Sequence, residues 1–291
     1  MEGELIPKGP RLDWPRLNAY RRYHAYEDGM YHLPNDEIEA DRLNLQHHEF
    51  RLTIGGKLHL APLSKDIQEV LDVGCGTGIT EKDFADEYPS SRVLGIDLSP
   101  IQPLEVPPNC SFLVDNVEAE WNYDHQFDYI HSRAMVAGTK NWPRFLQQAY
   151  DALKPGGIIE LQDVVFPGRC DDGSAPPTSP MAEWFKLFIE AGTKAGLNPT
   201  QANDFATPLR QAGFVGITGR KFKWPLGPWA KGKMNKTLGK WTLENILEGL
   251  QGGSLALFTR MLGWSKERVE VFLMEVRREL HEQKSHFYMP M

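Results

Sequence analysis

Three glycines alternate with other residues directly after a short apolar run, at Gly74, Gly76 and Gly78. The run before them, residues 70–73, has the character of a buried strand, and a helix is predicted to follow. Glycine lets the backbone turn sharply and lets its N–H groups approach a ligand closely, so this arrangement predicts a nucleotide-like ligand at the turn. The spacing is G-x-G-x-G and lacks the Gly-Lys-Ser/Thr ending of a phosphate loop. A pyrophosphate cradle is therefore the weaker interpretation.

Acidic residues accompany this turn and end the next two predicted strands. Asp97 lies about twenty residues beyond the glycines, where a carboxylate can accept both hydroxyls of a ribose. Asp115 and its neighbours offer an acceptor and a backbone N–H to an adenine edge, and Asp72 is placed to hold an amino group. An ammonium, a ribose and an adenine in this order predict S-adenosyl-L-methionine. The expected cofactor contacts are Asp72, Gly74, Cys75, Gly76, Gly78, Asp97, Leu98, Asp115, Asn116, Val117 and His131.

A sheet is needed to bring these strand ends together. Between residues 68 and 165, short apolar runs alternate with helical stretches, which is typical of buried parallel strands joined by crossover helices. The predicted strands are residues 69–73, 92–96, 111–114, 127–131 and 157–161, with helices at 80–88 and 143–153. This pattern predicts a doubly wound α/β sheet.

The flanking segments are predicted to be mainly helical. A helix over residues 35–54 precedes the sheet, and helices over 181–195, 242–262 and 265–284 follow it. A strand-like stretch covers residues 214–224, and residues 286–291 could add a last short strand. Eight basic residues and no acid lie between Phe205 and Leu243. We interpret this basic stretch as a solvated face.

Composition limits the classes of partner. The 291 residues are 41% apolar, enough for a real core, and the net charge of −7 has the wrong sign for general nucleic-acid binding. No apolar run reaches the roughly 18 residues of a membrane helix, and residues 1–8 do not resemble a secretory signal. Three cysteines without CxxC spacing, and His47-His48 without a partner at i+4, predict no metal site. We expect a soluble protein of the cytoplasm, with the nucleus as the alternative.

Longer motifs carry a resemblance to a known family. The run from Val70 to Gly78 with Asp97, Asp115 and Leu153-Lys154-Pro155-Gly156-Gly157 resembles the class I SAM-dependent methyltransferases. More narrowly, the chain is similar to the fungal LaeA-like methyltransferases of secondary metabolism, from about Tyr20 to Met291. The residues that carry this closer similarity are 31–42, 97–103, 127–133, 222–229, 255–260 and 263–265.

The resemblance implies a Rossmann-like class I fold with a seven-stranded, mainly parallel sheet. It implies a single domain over 1–291, made of an N-terminal helical lid region (1–60), a cofactor-binding core (61–165), and substrate-side helices with the last strands (166–291). The C-terminal helical insertion would roof the acceptor pocket. It also implies that Tyr23 contributes to the lid over the cofactor. One departure stands out: the family usually continues with Trp-Ala after Gly78-Ile79, whereas this chain has Thr80-Glu81.

Three residues are candidates for catalysis. His131, at the end of the fourth predicted strand, can act as a general base for a phenol of pKa about 10, and Arg133 can orient an anionic substrate or the cofactor carboxylate. Asp163, at the end of the fifth strand, can face the substrate. Each has a structural alternative: a backbone hydrogen bond for His131, a surface ion pair for Arg133, and a turn or cap for Asp163.

The expected activity is methyl transfer to an O, N or S atom of a small natural product. Two alternatives stay open. Thr80-Glu81 motivates a methyltransferase fold recruited for a cyclisation or pericyclic step. Similarity to the family's regulators motivates a non-catalytic role through protein partners.

Overall fold

A parallel sheet of five strands forms the centre of the protein, as seen in a computed structural model that describes Arg22 and residues 33–291. Tyr23 lies outside the described residues. The strands are β1 (Glu69–Val73), β2 (Arg92–Asp97), β3 (Cys110–Val114), β4 (Phe127–Arg133) and β5 (Leu153–Gln162). Their spatial order is β3-β2-β1-β4-β5, so the chain reverses direction across the sheet between β1 and β4. Ligands of open α/β sheets bind at such a point, outside the carboxyl ends of the strands.

The described part of the chain contains seven α-helices. They are α1 (Glu37–Thr53), α2 (Ile79–Glu87), α3 (Trp142–Ala152), α4 (Pro180–Lys194), α5 (Ala206–Ala212), α6 (Lys233–Leu262) and α7 (Lys266–Glu282). Helix α2 connects β1 to β2 and helix α3 connects β4 to β5, as the alternating pattern predicts. None of the described helices combines the length and the apolar character needed to cross a membrane.

Both faces of the sheet are packed, which explains why its strands read as continuous apolar runs. On one face, Leu71 and Ile130 pack against Phe145 and Leu146 of α3. On the other face, Val70 and Tyr129 join Phe84 and Tyr88 of the α2 region, and the Phe84 and Tyr88 rings stack at 4.4 Å. Towards the carboxyl ends of β1 and β4 this second face changes from apolar to charged, with Asp72 next to His131 in register.

A separate apolar core holds the C-terminal part. Helices α4, α6 and α7 bury Trp184, Phe258, Leu273 and Val276 with their neighbours. Two short strands, β6 (Lys223–Pro225) and β7 (Tyr288–Pro290), form an antiparallel pair beside this core. The predicted helical pair after β6 is confirmed.

The prediction of a seven-stranded sheet is wrong, since the last two strands form a sheet of their own. After β5 the chain contacts β7 through an isolated bridge between Arg169 and Tyr288 and a hydrogen bond from the Val165 N–H to the Pro290 carbonyl, and these do not form a ladder. Each strand of the pair is three residues long and ends in a proline, Pro225 or Pro290, which has no N–H to extend a ladder. Trp224 packs edge-on against Phe50 of α1, so β6 is anchored to the helical layer.

Several boundaries also differ from the predictions. Only residues 223 and 224 of the predicted strand 214–224 lie in a ladder, which extends to Pro225, and α6 begins at Lys233 instead of residue 242. Strand β5 begins at Leu153, the last residue of the predicted helix 143–153, instead of at residue 157. The helix predicted over 35–54 is confirmed as α1, with the Asp36 side chain accepting the N–H of Glu39 at its start.

Candidate functional site

The glycine turn is built in a backbone conformation that suits glycine alone. Gly74, Gly76 and Gly78 have φ of 78°, 54° and 75°, the left-handed region where a Cβ atom is strained. A Cβ on Gly74 would also lie 2.2 Å from Met135 Sδ, and one on Gly78 would lie 2.4 Å from the Phe112 ring. The turn is therefore a tight cradle in which the backbone itself forms the surface.

Asp97 joins the end of β2 to this turn. Its Oδ2 accepts the N–H of Gly76 at 2.9 Å and its Oδ1 accepts the N–H of Ser99 at 2.8 Å. An ionised carboxylate only accepts hydrogen bonds, and these two backbone donors fix its direction at the end of β2. Asp97 is held beside the glycines with the chemistry that a ribose requires.

The third strand ends next to Asp97. The N–H of Asp115 donates to the Asp97 carbonyl at 3.0 Å, and Asp115 Oδ1 accepts the N–H of Asn116 at 2.8 Å. Asn116 Oδ1 in turn accepts the N–H of Glu118, and the Val117 side chain is buried in the core under α3. The predicted ribose and adenine residues therefore share one edge of the sheet.

Helix α1 lies over the glycine turn. Thr77 Oγ1 donates to Asn44 Oδ1 at 2.8 Å, and Leu43 reaches to 3.5 Å from a Cβ placed on Gly76. From below, Gln102 Nε2 donates to the carbonyl of Gly76 at 2.7 Å. Cys75 is buried inside the turn, and burial raises the pKa of its thiol well above the ordinary value, so it stays a neutral thiol.

A buried charged cluster lies beneath the turn. His131 Nδ1 is 3.1 Å from Asp72 Oδ2, and both side chains are at least nine-tenths buried. Glu81 of α2 is 1% exposed and interacts with Asp72. Burial alone would raise the pKa of Asp72, but the charge of the neighbouring His131 and the close contacts with His131 and Glu81 outweigh it and lower that pKa. Asp72 therefore carries the negative charge of the cluster.

Arg133 extends the cluster towards α1. Its Nη2 donates to Thr80 Oγ1 at 2.6 Å and lies 3.1 Å from Nδ1 of His47, and its guanidinium stacks over Phe50 at 5.0 Å. Burial, followed by the charge of Arg133, lowers the pKa of His47 to about 4, so this histidine is neutral at pH 7 and its Nδ1 can accept from Arg133. Within the described residues Arg133 forms no ion pair with a carboxylate.

Asp163 has different surroundings from His131 and Arg133. Its Oδ2 accepts the N–H of Val136 and its Oδ1 accepts the N–H of Val164, both at 2.9 Å. These bonds hold the chain after β4, where Ala134 has a positive φ of 56°. Burial raises the pKa of Asp163 to about 7. The structure brings His131 and Arg133 together with the cofactor residues and places Asp163 under the loop that follows them.

The residues present fit a bound S-adenosyl-L-methionine. The backbone cradle has no space for a Cβ at Gly74 or Gly78, Asp97 is held by the turn beside it, and Asp72 is an anion placed next to the cradle. Nε2 of His131 is buried and has no hydrogen-bond partner within the described residues. A parallel sheet with this strand order and such a turn after β1 defines a nucleoside-binding α/β protein of the class I methyltransferase type.

Comparison with known proteins gives the same class. The profile of a methyltransferase domain family matches residues 45–218, and the chain belongs to that family. It is an enzyme that uses S-adenosyl-L-methionine as its methyl donor. The chain is 40% identical to methyltransferase pytC of Aspergillus terreus over 267 residues, which are 91% of this chain and 82% of that protein.

Regulators of secondary metabolism are also among its relatives. One from Cochliobolus heterostrophus is 35% identical over 92% of this chain and 90% of its own length. The regulator laeA of Monascus pilosus is 34% identical over 98% of this chain and 78% of its own length. The similarity to the LaeA-like family that the motifs indicate is thereby confirmed.

Sequence reasoning missed several residues of the site. His47 was considered only as a metal ligand, although it contacts Thr80 and Arg133 across the α1–α2 interface. Gln102 lies within the run 97–103 that carries the family similarity, and that run was the available signal for it. Glu81 was noticed as a departure from the family, but its contact with Asp72 depends on how α2 packs on β1.

Proposed function

We propose that this methyltransferase binds its cofactor between the glycine turn and Asp97 and methylates an O, N or S atom of a small secondary metabolite. The observation that carries the proposal is the bond from the Gly76 N–H to Asp97 within a turn of three left-handed glycines. That bond couples the shape of the cradle to the direction of the carboxylate.

The residues of the chain have separate tasks in this proposal. Asp72 binds the ammonium group of the cofactor, Asp97 binds the ribose, and Asp115 with Asn116 contacts the adenine edge. Arg133 binds the cofactor carboxylate, because its guanidinium is desolvated and forms no ion pair with a carboxylate of the described residues. Arginine is suited to this task since its planar fork matches a carboxylate.

When bound, the cofactor supplies an electrophilic methyl group on a sulfonium. The protein must hold the acceptor atom about 3 Å from that carbon and in line with the leaving sulfur, so positioning provides most of the rate. His131 is the proposed base for acceptors that need deprotonation. Neither ring nitrogen has a hydrogen-bond partner among the described residues; Nδ1 lies 3.1 Å from Asp72, which would stabilise the imidazolium, and Nε2 is the proposed proton acceptor. Such a base adds about 10² to 10⁴ in rate.

The acceptor class is supported by chemistry and by relatives. The net charge of −7 disfavours a polyanionic substrate, and pytC, at 40% identity, is named a methyltransferase. The test is formation of S-adenosylhomocysteine that depends on an added acceptor, with mass spectrometry of the product. A panel of phenols, thiols and amines should contain acceptors that gain one methyl group. Turnover without any acceptor dependence would contradict the proposal.

A regulatory role is the second candidate, because secondary metabolism regulators of Cochliobolus heterostrophus and Monascus pilosus align with at least nine-tenths of this chain. It predicts cofactor binding, no turnover of small acceptors, and co-purification with protein partners. Ordinary turnover of a small molecule by the isolated protein would count against it.

A further inference from the structure

Glu81 is an ionisable side chain to which the proposed function gives no task. It lies on the first turn of α2 and is 1% exposed. With Asp72, Thr80 and His131 it lines a cavity of about 10 Å³ beneath the glycine turn. The remaining walls are mainly apolar.

No cation or donor from another described residue neutralises Glu81. Neither carboxyl oxygen receives a hydrogen bond from an N–H or O–H group of the described chain. The nearby guanidinium of Arg133 directs its Nη2 to Thr80 and His47 instead. The polar group that Glu81 interacts with is the Asp72 carboxylate, which can only accept.

The cavity is too small to hold the water molecules that an ionised Glu81 carboxylate would need. A volume of about 10 Å³ holds at most about one water molecule, which is too few to hydrate an ionised carboxylate. Two neighbouring carboxyl groups in such a place share one proton. Burial, followed by the charge of Asp72, raises the pKa of Glu81 well above its ordinary value, whereas that of Asp72 is lowered. His131 Nδ1 lies 3.1 Å from Asp72 Oδ2, whereas no cation of the described residues forms an ion pair with Glu81, so the proton belongs on Glu81.

We propose that Glu81 is a positioning residue: it stays protonated at neutral pH and donates a hydrogen bond to Asp72, which fixes the single negative charge of the pair towards the cofactor ammonium. The protonation of Glu81 does not depend on the proposed function. Only the identification of the bound group as the cofactor ammonium depends on that function. Thr80-Glu81, where the family usually has Trp-Ala, thus supplies a second carboxyl group to the cofactor site.

Other ionisable groups surround the pair on every side. Strand β1 contributes Asp72, strand β4 contributes Tyr129, His131 and Arg133, the segment after α1 contributes His59, and His47 of α1 reaches Thr80. Of these, Arg133 favours ionisation of Glu81, but burial and Asp72 act against it more strongly. The balance leaves Glu81 neutral.

The first test is an infrared difference spectrum of the wild type against Glu81→Gln at neutral pH. We expect the C=O stretching band of a protonated carboxylic acid, shifted in D₂O and absent in the variant. Glu87→Gln is the matched control, since Glu87 is an exposed glutamate on the same helix, and it should leave the band in place. Glu49 and Asp163, whose pKa values are also raised to about 7, contribute acid bands to both proteins that cancel in the difference, so a difference spectrum without the band overturns the proposal.

The second test measures S-adenosylhomocysteine binding by calorimetry. Glu81→Gln should bind within a few-fold of the wild type, because an amide also donates to Asp72. Glu81→Leu should weaken binding by about 10- to 100-fold, although replacing a buried acid by an apolar side chain need not destabilise the fold. Equal affinity of the leucine variant and the wild type would refute the positioning role. Absence of binding in the wild type would instead refute the proposed cofactor site, and with it the positioning role of Glu81. The infrared band would still show whether Glu81 is protonated.

Discussion

The carboxylate of Asp97 accepts the backbone N–H of Gly76 at 2.9 Å, across the gap between the second strand and the glycine turn. The two residues are 21 positions apart in sequence, and the parallel pairing of β1 with β2 brings them together. Because the same carboxylate is the proposed ribose ligand, a change in the backbone of the turn should alter the position of Asp97 and weaken its contact with the ribose. The cradle and the sugar-binding group act as one unit.

Gly76→Ala tests this coupling. Gly76 has a φ of 54° and room for a Cβ 3.5 Å from Leu43, so the substitution acts mainly through backbone strain of about 1 to 2 kcal/mol. We expect about tenfold weaker S-adenosylhomocysteine binding by calorimetry. Gly156→Ala is the matched control, with φ of 83° and nothing within 4 Å of its Cβ. It should lower thermal stability and keep the wild-type affinity; equal losses of affinity in both variants would argue against the coupling.

Arg133→Met tests the carboxylate site. Its guanidinium is desolvated and unpaired with a carboxylate in the described part of the chain, so a bound carboxylate should gain strongly from it. The wild type should prefer S-adenosylhomocysteine to its methyl ester by about 10- to 100-fold, and the variant should lose this preference. Arg144→Met, at an exposed position on α3, should retain it. A preference that survives in Arg133→Met would instead assign this arginine to an anionic substrate or to structure.

Glu49→Gln tests a pH dependence built into the contact between α1 and α6. Glu49 is fully buried and accepts from Thr242 and Asn245, and burial raises its pKa from 4.5 to about 7. A raised pKa means that the folded state holds the proton more tightly. The resulting stability is complete below pH 4.5 and is lost as the pH rises to about 7.

The free energy of unfolding of Glu49→Gln, measured with urea, should therefore rise relative to the wild type by about 2 to 4 kcal/mol between pH 4.5 and 8. The glutamine amide lacks one of the two acceptor oxygens and so loses the hydrogen bond from Asn245 at every pH, which shifts the whole curve. The prediction therefore concerns the change with pH of the difference in free energy of unfolding between the two proteins. Glu244→Gln, an exposed substitution on α6, should show no such slope. Parallel curves for the wild type and Glu49→Gln would contradict the account.

The central sheet could be predicted from sequence because its signals are local. Apolar runs mark β1 to β5, and glycines that need left-handed φ mark the turn, so Gly76 and Asp97 could be placed at one edge of a parallel sheet. The number of strands in that sheet could not be predicted in this way. Pairing of β6 with β7 depends on where residues 223–225 meet residues 288–290, and Trp224 is held by Phe50 of α1.

The charged part of the site shows the same division. Asp72 and His131 could be assigned to the cofactor side because each ends a predicted strand. Glu81 and His47 could not, since their partners depend on how α1 and α2 pack on the sheet. Asp163 could be placed at the end of β5. The direction of its carboxylate could not, because it depends on the conformation of the loop after β4, whose Val136 N–H donates to it.

Calorimetric titration of the wild type and Asp97→Ala with S-adenosylhomocysteine shows whether Asp97 and the glycine turn hold the cofactor. We expect saturable one-to-one binding to the wild type and about 100-fold weaker binding to the variant, because two charge-assisted hydrogen bonds to the ribose are lost. Asp66→Asn, in an exposed loop, should bind as the wild type does. No heat with the wild type, or equal affinity in Asp97→Ala, would contradict a cofactor held between Asp97 and the glycine turn.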